Sequence, residues 1–84
     1  MRYTTDIKAK LDRDLQIKFP GKKFSITVYQ AGARLLVSLK NEIINSQELR
    51  IIDDFLINFI KKYETKVIIK TFKGELPTSE FWLA

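Results

Sequence analysis

The chain has no cysteine and no histidine among its 84 residues, and only three glycines and two prolines. Without cysteine there is no disulfide to staple a small fold, and without histidine a zinc site is left with carboxylates alone, a poor donor set. With glycines so few and ungrouped, a phosphate-cradling loop is excluded. No window approaches the roughly 18 consecutive apolar residues that a membrane span requires. The segment Met1–Asp6 is not followed by the apolar core of a signal peptide, so the expectation is a cytoplasmic protein, consistent with the absence of thiols. Stability must come from burial, supplied by 45% hydrophobic residues that include six Phe, three Tyr and one Trp. The expectation is a single domain over residues 1–84.

Charge is present in excess but unevenly. The net charge is +5, with nine Lys/Arg against three Asp/Glu in residues 1–40, one against four in 41–60, and five against three in 61–84. A basic first half has two readings, polyanion binding or simple solubilisation by lysine. Asp6, Asp12 and Asp14 interrupt the basic residues of the first helix, which favours the second.

Residues 4–18 read as a helix capped by Thr4 or Thr5, with Asp6 in the first turn and Ile7, Leu11 and Leu15 on one narrow stripe. Pro20 disfavours helical geometry at Phe19, and Gly21 permits the reversal. Residues 23–30 alternate, with Phe24, Ile26 and Val28 on one face and Ser25, Thr27 and Tyr29 on the other. Residues 34–40 alternate likewise, with Leu35, Val37 and Leu39 inward, and Gln30–Ala33 form the turn of a β-hairpin. A second helix over about 46–64 starts at Asn45 or Ser46, with Glu48 at capping-box spacing from Asn45. Its apolar face is Leu49, Ile52, Phe55, Leu56, Phe59, Ile60 and Tyr63. Residues 67–73 make a third strand that ends at Gly74. The expected architecture is α+β in α-β-β-α-β order, a three-stranded antiparallel sheet of order 2-1-3 with two helices on one face. Residues 74–84 are expected as a C-terminal tail or an extra strand.

Catalytic chemistry has little to stand on. Paired carboxylates exist at Asp12/Asp14 and Asp53/Asp54, but neighbours at i+1 or i+2 diverge on a helix. The expectation is a protein that is not an enzyme, with no catalytic residue, cofactor or metal. For nucleic acid, no Gly-x-x-Gly clamp follows a helix and no paired aromatics mark the strands. The sheet face still offers Tyr29 and Arg34, and the turn offers Lys22 and Lys23, as a basic binding surface. For protein binding, Ile57 falls among Arg50, Asp53 and Lys61 on the helical wheel, away from the apolar arc. Ile51 sits at the edge of that arc, Ile17 lies off the first helix's stripe, and Leu36 points away from the core. The candidate protein contacts are Arg50, Asp54 and Ile57, joined by Phe81 and Trp82 in the tail, since such aromatics often anchor interfaces. Alternatively the tail folds back over the open sheet face and covers Leu36 and Tyr29. Self-association into a homodimer through the same exposed aliphatics is a third expectation.

The helix with Ile7, Leu11 and Leu15, then Phe19-Pro20-Gly21, Lys23-Phe24-Ser25 and, across a turn, Val37-Ser38, resembles a large polyvalent protein-associated domain of phages and conjugative elements. The likeness covers roughly residues 5–40. It departs at Leu39-Lys40-Asn41-Glu42, where the family tends to carry Trp and then Asp-Gly-Pro. The resemblance implies a non-enzymatic accessory module of a mobile element, with no catalytic residues to carry over. By analogy it extends to a host-factor binder such as an anti-CRISPR inhibitor of a nuclease complex.

Overall fold

The computed structural model describes residues 2–40, 44–61, 67–72 and 78–83. Helix α1 spans Thr5–Lys18, strands β1 and β2 span Phe24–Tyr29 and Arg34–Lys40, helix α2 spans Ser46–Lys61, and strands β3 and β4 span Val67–Phe72 and Thr78–Leu83.

Both helices start on a side-chain cap. Thr4 is the N-cap of α1: its backbone is extended and its Oγ1 accepts from the Ile7 N–H at 3.2 Å. For α2, Asn45 takes the same role over Ser46. Its Oδ1 accepts from the Glu48 N–H at 2.8 Å, and its Nδ2 donates to Glu48 Oε1 at 3.2 Å. Leaving α1, the Lys22 N–H donates to the Phe19 carbonyl at 3.2 Å and Gly21 has a φ of +93°. Those are the marks of a type II turn with proline second and glycine third. The turn sets Phe19 between Phe24 (ring centroids 5.9 Å apart) and Phe55 of α2 (5.6 Å, edge-on). Lys22 Nζ meets Glu48 Oε2 at 3.0 Å, tying the turn to the first turn of α2.

The α+β class and the two helices on one face of an antiparallel sheet are as read from the sequence. The strand order is not. The sheet runs β1-β2-β4-β3, and every adjacent pair is antiparallel. The order 2-1-3 is therefore corrected: β3 does not pair with β1 but lies at the far edge. Of the two expectations for the C-terminal residues, 78–83 form the extra strand, and that strand is central. The reason is directional. A helical crossover from β2 brings β3 in parallel to β2, leaving a slot one strand wide. Strand β4 turns back from β3 and fills that slot antiparallel to both neighbours, satisfying the inner edges of each. Of the helix expected over 46–64, residues 62–64, including Tyr63, lie outside the described residues, as does Gly74.

The core is one cluster between the sheet and the helices. Leu11 and Leu15 come from α1, Ile52, Leu56, Phe59 and Ile60 from α2, Leu35, Val37 and Leu39 from β2, and Phe81 and Leu83 from β4. Register aligns Val37 with Phe81 and Leu35 with Leu83 across the central pair. Each such fully buried side chain contributes about 1.5–3 kcal/mol of transfer free energy. At the hairpin end the chain enters through Tyr3, which is 4% exposed and whose N–H donates to the Gly32 carbonyl. Gln30, Ala31 and Gly32 all have positive φ (53°, 55° and 85°), so three successive left-handed residues make the reversal.

Candidate functional site

Among the described residues, the exposed large aliphatic side chains lie on the helical layer. Leu15 lies on the buried stripe of α1, and two residues further along a helix points nearly the opposite way, so Ile17 is 72% exposed. On α2 the buried line runs through Ile52 and Leu56, which leaves Ile51 46% exposed on one side and Ile57 41% exposed on the other.

Ile17 and Ile51 share a groove of about 760 Å³ between the two helices. Its lining includes Asp14, Ile17 and Lys18 of α1, and Ile51, Asp54 and Phe55 of α2. Spacings of three and four residues place each triplet on a single helix face. The groove is therefore an apolar floor bordered by a carboxylate from each helix and one ammonium group. Asp14 also lies 3.8 Å from the Arg13 guanidinium.

Around the outside of α2, Arg50, Asp54, Ile57 and Lys61 follow one another at spacings of four, three and four. That rhythm keeps them on one stripe facing away from the sheet. Asp53 borders it and is half-buried. Burial raises its carboxyl above the ordinary value of 3.8, and the neighbouring Asp54 charge adds to the rise.

The open face of the sheet is a different kind of surface. Strand alternation sends Phe81 and Leu83 into the core and Glu80 and Trp82 outward. Trp82 is the Cα partner of Leu36, which is in turn the partner of Thr27. The Tyr29 and Trp82 rings lie 5.7 Å apart and tilted by 38°, and Trp82 Nε1 donates to Glu80 Oε2 at 3.2 Å. The expectation that no paired aromatics mark the sheet is thus corrected. The pair forms because β4 sits two strands from β1, a position that residues assigned to a tail conceal. The expected covering of Tyr29 and Leu36 by a folded-back tail is replaced by a strand within the sheet that shelters them in part: Leu36 is half-buried beside Trp82, and Tyr29 stays 43% exposed.

The five candidate protein contacts are accordingly split. Arg50, Asp54 and Ile57 stand together on the outside of α2. Trp82 is on the opposite side of the molecule, and Phe81, 0% exposed, is core and removed from any contact surface. The alternative set divides as well. Lys22 is drawn in by Glu48, Lys23 is exposed beside it, and Tyr29 and Arg34 are paired at the other end of β1, about 16–20 Å away at 3.3 Å per residue. Asp14 and Phe55 as groove residues escaped the sequence reading, because a groove between two helices depends on how they pack and no single helical wheel shows it.

Among the described residues no three acidic side chains gather to hold a metal ion, and no helix is long and apolar enough to cross a membrane. Comparison of the chain with protein-family models, with curated proteins and with solved structures finds no match.

Proposed function

We propose that this chain is a small non-enzymatic accessory protein that acts by stoichiometric binding to another protein, with the groove between α1 and α2 as its contact surface. One observation carries the reading: Ile17 and Ile51, the two most exposed large aliphatics among the described residues, border the same groove. Scattered exposed aliphatics are ordinary, but two converging on a shaped, mostly apolar depression with charged borders have the anatomy of an interface. The likeness of residues 5–40 to the polyvalent-protein module supplies a context, a phage or mobile-element product working in the host cytoplasm. Inhibition of a host nuclease complex, in the manner of an anti-CRISPR protein, fits that context. The test is affinity capture from host extract with the wild type, with Ile17→Asp/Ile51→Asp, and with Lys23→Glu/Arg34→Glu. A nuclease-resistant, saturable partner lost only in the first variant supports the reading; retention of that partner by the first variant overturns it.

A second reading has its own observation. The Tyr29–Trp82 pair with Arg34 beside it on an open sheet offers bases a stacking platform. Glu80 on the same face and the neutralisation of Lys22 by Glu48 weigh against phosphate binding there. A titration with single-stranded DNA and RNA across salt concentrations decides it. Counterion release demands a steep fall in affinity with salt, and a flat or absent response removes this reading.

A further inference from the structure

We infer that the outer stripe of α2 is self-complementary and that it docks on the same stripe of a second copy of this chain, with the two helices antiparallel. The inference rests on the protein-binding reading above and names one partner for that layer. Its basis is the order of groups along α2. Asp54 and Lys61 are seven residues apart, about 10.5 Å along the helix axis, and Ile57 lies between them. All three are exposed, and the stripe points away from the sheet.

Two antiparallel helices related by a two-fold axis beside Ile57 place Asp54 of each copy opposite Lys61 of the other. Ile57 then meets its own counterpart across the axis. An isologous contact must be self-complementary in this way, with each group finding its opposite in the same patch. This register opposes unlike charges twice and apolar to apolar once. Because both ion pairs lie at an exposed rim, the association is weak and falls with added salt.

Charge exchange tests it in the intact chain. Sedimentation equilibrium from micromolar to millimolar concentration is measured for the wild type, Asp54→Lys, Lys61→Asp and the double exchange Asp54→Lys/Lys61→Asp, with circular dichroism confirming that each is folded. The expected result is a concentration-dependent dimer that each single exchange weakens by about tenfold or more. The double exchange restores it, and so does mixing the two single variants. A wild type that stays monomeric throughout overturns the inference. So does a dimer indifferent to the single exchanges, or one that the double exchange fails to restore. A monomer that still captures a partner through Ile17 and Ile51 sinks only the second-copy inference. A dimer that captures nothing sinks only the foreign-partner reading.

Discussion

The helical surface and the open sheet face both expose large apolar side chains, Ile17, Ile51 and Ile57 on the first and Tyr29 (43% exposed) on the second, but they hold them differently. On the sheet, Trp82 leans on Tyr29, its indole N–H is held by Glu80, and Leu36 is half-buried beside it. On the helices, Ile17 and Ile51 rim a groove that no described side chain fills, and Ile57 stands exposed among charges. A surface whose apolar groups partly shelter one another has less to gain from a partner. A surface that leaves them in water gains the transfer free energy of that area when it is covered. The difference is why the helical layer, and not the sheet, is the contact surface we propose.

The largest effect that sharpens this contrast comes from two adjacent residues of β4. Phe81→Ala opens a cavity in the centre of the core and is expected to cost about 3–5 kcal/mol, comparable to the whole stability of a domain this size. Trp82→Ala, one residue on and facing outward, should cost about 1–2 kcal/mol. Chemical denaturation measures both, and equal losses would break the assignment of the two faces. The hairpin end gives an intermediate pair. A Cβ on Gly32 would lie 3.0 Å from the Tyr3 carbonyl oxygen at a φ of +85°, so Gly32→Ala should destabilise by about 1–2 kcal/mol. Ala31→Gly, relieving a positive φ of 55°, should stabilise by about 0.5 kcal/mol.

The smallest effect lies on the helical layer and depends on pH. Burial and the Asp54 charge raise Asp53 above 3.8, so the fold favours its protonated form. That stabilisation is complete below the unfolded value and is lost as pH rises through the folded one, leaving ionised Asp53 a slight burden at neutrality. Asp53→Asn should raise the melting temperature slightly at pH 7 and lose that advantage near pH 3. An advantage independent of pH would point to a cause other than ionisation.

Where periodicity is local, the sequence is readable. The caps at Thr4 and Asn45, the Phe19-Pro20-Gly21 turn and the inward faces of β1 and β2 each follow from residues within a few positions of one another. The position of β4 does not, because nothing in residues 78–83 says which strand they will lie beside. Their alternation, with Ser79, Phe81 and Leu83 against Glu80 and Trp82, was a strand signal, but its brevity and the preceding Leu76-Pro77 read equally as a tail. That one undetermined pairing displaced β3 to the edge, put Phe81 in the core and built the Tyr29–Trp82 pair. Exposure of Ile17, Ile51 and Ile57 was visible on helical wheels. Their grouping into a groove was not, since it depends on how α1 and α2 lie together.

Side-chain footprinting of the chain, free and bound to its captured partner, tests the central assignment most directly. Protection of Ile17 and Ile51 with Tyr29 and Trp82 unchanged is the expected result. Protection confined to Tyr29 and Trp82 would place the contact on the sheet and contradict the account.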